Sequence, residues 1–315
     1  MRRLALLVGF LFVSVLSLDA GALRGTPYRG AIVAEAGGRV IFEDRADDRA
    51  YPASVSKLMT ALLVIEDIAA GRYAYDTIVT MTEAVRKSEP SWLDLKAGDR
   101  MSVRDLMFAL MVESANDAAI ALAVHASGSI DAFVARMNAR ALALDMKATT
   151  YFSPNGLPPN AKIGYPWKDY NVSTARDQLR LARELVRHHE ISAFTSVQTC
   201  DLVQTDTGYR ISPVRVVNRS PLKTRLADGE KLVRQLENHN NIMCSAKLQV
   251  LNSDGRNAVD GLKTGYIKDG GSSVVLTATR KGRRLIAVVL GSENASMRDE
   301  NARRILVDAL DAYDW

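Results

Sequence analysis

Three short motifs carry residue types that could do chemistry together. Ser54-Val55-Ser56-Lys57 opens an apolar stretch. Positions three apart share one face of a helix, so Lys57 could reach the Ser54 hydroxyl. A serine is a weak nucleophile until an adjacent base takes its proton. A lysine can be that base only if burial or a second cation lowers its pKa. A serine in a first helical turn also meets free backbone N–H groups and the positive end of the dipole, which favour a developing oxyanion. Ser114-Ala115-Asn116 joins a hydroxyl and an amide at the boundary of two helical segments. There they could relay a proton and hold a carbonyl, although Ser and Asn are equally good helix caps. Lys263-Thr264-Gly265 sets a cation and a hydroxyl on a strand edge, a pair suited to a substrate carboxylate. Its glycine lets another backbone come close.

Taken singly these motifs are weak. S-x-x-K recurs at Ser220-Pro221-Leu222-Lys223, and S-x-N recurs at Ser153 and at Ser292, whereas K-T-G occurs once. The second S-x-x-K reaches Asp228-Gly229 within two turns, so no apolar helix follows it. Ser54, by contrast, leads into Leu58, Leu62, Ile65 and Ala69, apolar positions at helical spacing that predict a helix over Ala53–Ala70 ended by Gly71.

The elements that must position these groups follow from the same kind of pattern. Ala31–Ala36 and Arg39–Glu43 around Gly37-Gly38 predict a β-hairpin. Ser102 caps a helix through Met111, with Asp105 completing a capping-box variant. Asp117–Ala126 and Asp131–Leu144 predict two more helices, and Ser173 caps another over Thr174–His188. Tyr151–Lys168 is rich in Pro, Gly and Asn and reads as loop. Ser273–Arg280 and Arg284–Gly291 around Lys281-Gly282 form a second, strongly apolar hairpin, and Met297–Tyr313 closes the chain as a helix. An α+β fold follows: an antiparallel sheet built from both chain ends, flanked by helices, with a mostly helical subdomain inserted between them. Ile191–Gly255 shows no clean period.

Composition narrows the function classes. The 315 residues are 47% hydrophobic and 24% charged, which argues against wholesale disorder. Forty-one Lys and Arg against 36 Asp and Glu give a net charge of +5, spread along the chain without a basic tract, so nucleic acid is not an expected partner. Two cysteines and four scattered histidines do not form a zinc set, and no cofactor motif is present. His125 reads as core or rim, His188-His189 as a helix end, and Tyr51 and Trp92 as packing.

The N-terminus has the layout of a secretory signal over residues 1–22. Arg2-Arg3 precedes an uncharged run from Leu4 to Leu18, and Ala20-Gly21-Ala22 offers a cleavage site. The run is shorter than the roughly 20 residues a spanning helix needs. The mature chain is therefore expected outside the cytoplasm, as one catalytic domain over residues 23–315. In that compartment Cys200 and Cys244 could form a disulfide worth about 4 kcal/mol, or remain two small buried thiols.

The ordered trio S-x-x-K, S-x-N, K-T-G is shared by class A β-lactamases and penicillin-binding proteins. Over about Arg29 to Asp311 the chain resembles the low-molecular-mass penicillin-binding proteins, the serine-type D-alanyl-D-alanine carboxypeptidases of peptidase family S11. The likeness rests on Pro52–Thr60, on Ser114–Ala119, on Phe152-Ser153-Pro154-Asn155-Gly156-Leu157, on Val172–Asp177 and on Val259–Tyr266. It implies a β-lactamase/DD-peptidase-like fold and release of the terminal D-alanine from peptidoglycan stem peptides ending in D-Ala-D-Ala, with β-lactams as covalent inhibitors and no metal. It implies that Ser54 is acylated, that Lys57 is its base, that Ser114 shuttles the proton and that Asn116 orients the substrate amide. Lys263, Thr264 and Arg298 would bind the terminal carboxylate, Gly265 would complete the strand motif, and the backbone N–H groups of Ser54 and Tyr266 would form the oxyanion hole. Lys57, Lys263 and Arg298 would converge. Asn240, in Asn238-His239-Asn240, would line the cleft.

Three departures accompany the likeness. Asn155 stands where close relatives often carry His. Ile191–Gly255 is longer than the family's corresponding stretch. No second β-domain or amphipathic anchor follows the last helix, so a stable membrane anchor is not expected unless the leader stays uncleaved as an N-terminal anchor. A D,D-endopeptidase cutting cross-links would use the same site. A class A β-lactamase would need an E-x-x-L-N carboxylate, to which Glu237–Asn241 comes nearest without its Leu. A non-catalytic penicillin-binding scaffold would need a decayed site.

Overall fold

The computed structural model describes residues 28–85, 90–158, 169–214, 216–217, 220–221, 224–252 and 255–312. The leader expected over residues 1–22 lies outside them, as does Lys223 of the second S-x-x-K. The chain opens with β1 (Gly30–Glu35) and β2 (Val40–Asp44), then a 3₁₀ turn over Ala53–Ser56 that runs into α1 (Lys57–Ala69). Short strands β3 (Ile78–Thr80) and β4 (Arg100–Ser102) pair before α2 (Val103–Phe108), α3 (Asn116–Ser127), α4 (Ile130–Ala143), α5 (Ala175–Leu185) and α6 (Ile191–Thr195). Strands β5 (Thr199–Thr205), β6 (Gly208–Pro213), β7 (Val216–Val217), β8 (Ser220–Pro221) and β9 (Lys231–Glu237) precede a short α7 (Asn241–Cys244). The last part is β10 (Val259–Ile267), β11 (Gly271–Arg280), β12 (Arg283–Ser292) and α8 (Ala295–Asp311).

The main sheet has the order β10-β11-β12-β1-β2, so the N-terminal hairpin pairs with the C-terminal strands through β1 and β12, antiparallel. Its strands read as nearly continuous apolar runs because both faces are covered. Ile32, Val275, Ile286 and Val288 face the inserted helices, and Val33, Val274, Ala287 and Val289 face α8. At the second hairpin the chain reverses through Lys281-Gly282, both at positive φ (48° and 77°), the geometry a two-residue turn demands. The first hairpin is looser than its Gly-Gly pair implies. Glu35 N–H bonds to the Arg39 carbonyl, a bulge follows Val33, and the turn spans Ala36–Arg39.

Two caps differ from the sequence reading. Thr174, rather than Ser173, accepts the Asp177 N–H at the start of α5. The helix capped by Ser102 leaves α geometry after Phe108 and widens into a π turn through Glu113. The aperiodic stretch after Ile191 forms a second antiparallel sheet, β6-β5-β9, whose Cys200, Leu202, Ile211 and Leu236 join the helix-side core. Cys200 and Cys244 are both free thiols. Among the described residues, no single helix is long and apolar enough to cross a membrane.

Candidate active site

The first motif sits where three elements meet. Ser54 lies in the 3₁₀ turn, one residue after Ala53, whose φ of 51° is uncommon for a residue with a side chain. Val55 N–H bonds to the Pro52 carbonyl and closes the turn. Two glycines allow neighbours to approach its backbone. A Cβ on Gly265 of β10 would lie 2.6 Å from the Pro52 carbonyl oxygen, and one on Gly156 would lie 1.9 Å from that of Ala53. Ser54 is only partly buried, whereas Lys57 is sealed from solvent.

Lys57 Nζ has three oxygen neighbours: Ser54 Oγ at 2.8 Å, Asn116 Oδ1 at 2.7 Å and the Asn155 carbonyl at 2.8 Å. The first and second motifs, 59 residues apart between Lys57 and Asn116, are thus joined directly. The third partner was not marked by sequence, because a backbone carbonyl leaves no residue-type signal. Asn155 is fixed by its surroundings. Pro154 accepts a bond from Thr60 Oγ1 at 2.7 Å. Asn171 accepts from the Phe152 and Ser153 N–H groups, and its Nδ2 donates to Ser153 O and Ser56 Oγ. One buried amide therefore ties the loop to the start of α1.

Ser114 follows the π turn in the left-handed region, with φ 61°. Strain of this kind costs on the order of 1–3 kcal/mol and persists only when surroundings impose it. Here the surroundings are Asn116, whose N–H bonds to the Ser91 carbonyl, and buried Asp117. The Asp117 carboxylate accepts the N–H groups of Leu93, Leu95 and Ala118. Ser114 Oγ is buried without a partner among the described residues.

The strand motif supplies the second buried amine. Lys263 is 2% exposed and its Nζ donates to the Thr264 carbonyl at 3.1 Å. Thr264 is buried beside it, and Tyr266 projects outward. Arg298 is buried at the start of α8, and Asp299 Oδ1 accepts from its Nε at 2.7 Å. Asn240 is buried, and both polar atoms of its amide lack a partner among the described residues.

The charges explain one another. Burial, and then the positive charge of Lys263, hold Lys57 well below the usual lysine range; Asp117 opposes them. Burial and Arg298 bring Lys263 down to about 7. The expected convergence of three cations thus takes the form of a relay, in which Arg298 bears chiefly on Lys263 and Lys263 on Lys57. His239, between the two asparagines, is held near 4 by desolvation and by Lys263, Lys57 and Arg298. Glu113, in the π turn, is raised by burial and faces Arg234 of β9 at 3.2 Å.

Of the residues read as bland, Tyr51 stacks on Tyr170 at 4.8 Å, and His125 meets the Tyr73 ring edge-on. Trp92 offers its carbonyl to Arg234.

An antiparallel sheet from both chain ends, a helical insert and a serine–lysine pair with its lysine buried at their junction define the β-lactamase/DD-peptidase class of fold. Residues 29–231 and 230–294 match Peptidase_S11, D-alanyl-D-alanine carboxypeptidase, and the chain belongs to that family. It is 26% identical over 277 residues to the D-alanyl-D-alanine carboxypeptidase DacF of Bacillus subtilis, covering 88% of this chain and 60% of the relative. The chain thus spans less than two thirds of that relative's length. The D-alanyl-D-alanine carboxypeptidase DacD of Francisella tularensis superposes with a TM-score of 0.74 at 27% identity, over 90% of this chain and 70% of that one. Penicillin-binding protein D2 of Listeria monocytogenes, solved in an ampicillin-bound form, gives 0.68 at 28% identity, over 90% and 97%.

Proposed function

We propose that this chain is a serine DD-peptidase that releases the terminal D-alanine from peptidoglycan stem peptides through an acyl-enzyme on Ser54. The observation that carries the reading is the hydrogen-bond set of Lys57. A neutral amine has two N–H donors and one lone pair. Asn116 Oδ1 and the Asn155 carbonyl can only accept, so they take the two donors. The lone pair is left for the Ser54 hydroxyl at 2.8 Å. A buried amine whose charged form is disfavoured is therefore aimed at the one proton that must leave for the serine to attack.

The steps follow from this arrangement. The substrate carboxylate binds at Lys263 and Thr264, with the buried guanidinium of Arg298 adding its field. Ser54 Oγ attacks the carbonyl as Lys57 takes the hydroxyl proton. The oxyanion meets the N–H groups of Ser54 and Tyr266, and the Gly265–Pro52 contact keeps β10 against the nucleophile turn. Lys57 then returns the proton, through Ser114, to the departing D-alanine nitrogen. Water later hydrolyses the ester. Asn116, already holding Lys57, and Asn240, whose amide has no partner among the described residues, are the groups for the substrate's peptide amides. The substrate lies outside the cytoplasm, which fits a chain exported through the leader read at residues 1–22 and cleaved near Ala20–Ala22. β-Lactams, with a carboxylate beside a reactive amide, would acylate the same serine.

Incubation with a fluorescent penicillin, followed by denaturing electrophoresis, tests this. A stable label lost in Ser54→Ala, together with D-alanine release from a D-Ala-D-Ala peptide, is expected. Label that forms on Ser54→Ala as on the parent would sink the reading. Mass spectrometry of digested peptidoglycan separates loss of D-alanine from cleavage of cross-linked dimers.

A further inference from the structure

Arg298 is a long, flexible side chain, buried where its charge bears on Lys263, and its direction needs a cause. The cause is its neighbour in sequence. Asp299 is also buried, at 2% exposed. Its Oδ1 accepts from Arg298 Nε at 2.7 Å and from Nη2 at 2.6 Å. Successive side chains on a helix point about 100° apart and do not ordinarily meet. The guanidinium therefore folds back along α8 to reach this carboxylate. Among the described residues, Asp299 is the one side chain that holds it. Two of the five guanidinium N–H donors go to Oδ1, and three remain for an incoming anion.

Asp299 is itself anchored. Its second oxygen, Oδ2, accepts from Asn241 Nδ2 at 2.9 Å. Asn241 is the first residue of α7, on a different part of the chain from α8. The far end of α7 is held in turn, because Asn257 Nδ2 and Gln198 Nε2 both donate to the Met243 carbonyl. One carboxylate thus uses one oxygen to take its bearing from a neighbouring element and the other to pass that bearing to Arg298.

We infer that Asp299 is a positioning residue for recognition of the substrate's terminal carboxylate, acting through Arg298. This inference rests on the peptidase reading and adds to it a side chain that does not itself touch substrate. Two effects of Asp299 oppose each other. Its charge weakens the pull of Arg298 on an anion. Its hydrogen bonds fix the guanidinium before the anion arrives, so binding does not have to order a long side chain. Without Asp299, a buried guanidinium turns toward any acceptor or water in reach, since a lone buried cation is costly. A displacement on the order of 1 Å can lower a rate about 10²-fold. Direction therefore outweighs charge, and the sign of the effect decides between them.

The test measures kcat/KM on a peptide ending in D-Ala-D-Ala and on an ester of the same acyl group with an uncharged leaving alcohol. Asp299→Ala should lower kcat/KM for the peptide about 10-fold, the effect of one hydrogen bond to a charged group. The peptide-to-ester ratio should fall by a similar factor. Asp299→Asn keeps the shape and one accepting oxygen, and it decides the matter if the alanine variant does not fold. It should show the same selective loss at about 3-fold, because a neutral acceptor holds about half as strongly as a charged one. In an Arg298→Ala background, Asp299→Ala should lower the ratio no further. Four results would overturn the inference: better use of the peptide by Asp299→Ala, an equal loss on both substrates, an unchanged ratio, or a loss that adds to that of Arg298→Ala. D-Alanine release by the unaltered enzyme reports on the peptidase reading by itself. Release with a ratio unmoved by either Asp299 variant overturns the present inference alone, and no release overturns both.

Discussion

The molecule buries two lysines within one cleft and treats them oppositely. Lys57, on the helix side, has three oxygen neighbours, and two of them can only accept. Its surroundings are complete without substrate, and they favour an amine with its lone pair on Ser54. Lys263, on the strand side, has one backbone carbonyl as its hydrogen-bond partner among the described residues and lies under the field of Arg298. An ammonium has three donors, so a buried Lys263 becomes well satisfied only when an anion arrives. The difference shows how one residue type does two jobs. On the function proposed above, a closed set of acceptors and a neighbouring cation would suit Lys57 to act as a base. An open set of donors, with a second cation alongside, would suit Lys263 to receive an anion.

The comparison is broken most severely at the base. Lys57→Ala should slow acylation by a fluorescent penicillin about 10²–10⁴-fold, the range for removing a positioned acid–base group. Acylation at the parental rate would reassign the base. The strand side should respond differently. Lys263→Met should lower kcat/KM for carboxylate-ended peptides about 10²-fold, as expected when one partner of a buried charge contact is removed. Hydrolysis of a neutral ester substrate should change far less. Equal loss on both substrates would make Lys263 a structural or catalytic group and dissolve the contrast. Gly265→Ala acts on the boundary between the two sides. Its Cβ would crowd the Pro52 carbonyl at 2.6 Å, so a stability loss of about 1–3 kcal/mol and a fall in labelling rate are expected.

How far this could be read from sequence follows the range of each cause. Ser54, Lys57, Ser114, Asn116 and Lys263 stand in short motifs, and residue type with local spacing marks them. The second hairpin was equally legible, because Lys281-Gly282 needs two positive φ values and sits between apolar runs. The three-stranded sheet after Ile191 was not. β9 is exposed along Lys231–Gln235, so Leu232 and Val233 break the alternation that marks a half-buried strand. The Asn155 carbonyl and the Asn171 clamp are set by tertiary approach over 98 and 115 residues, and no local pattern encodes them. Asn155 itself lies within the Phe152–Leu157 likeness and departs from it only in residue type. What it contributes to Lys57 comes from its backbone, which any residue at that position would share. The π turn was missed because Ser102 and Asp105 announce where a helix starts and say nothing about how it ends at Ser114.

The mildest expected effect is on stability, and its sign separates the two lysines from ordinary ones. An unfolded lysine takes its proton near pH 10.4. Folded Lys263 does so only near 7. Above both values neither state is charged, and the group contributes nothing. As pH falls from 10 toward 7, the unfolded chain binds a proton that the folded chain refuses, so unfolding is favoured. Below 7 the penalty is constant. Stability should therefore rise with pH across this window, by at most about 1.4 kcal/mol per unit for each such group. Lys57, also lowered, contributes with the same sign. Denaturant titrations of the parent and of Lys263→Met at pH 7 and pH 9 measure this. The variant should gain less stability between the two than the parent does. A variant that gains as much as the parent would mean that Lys263 keeps its proton in the empty cleft, and that strand and helix amines are less different than their hydrogen bonds imply.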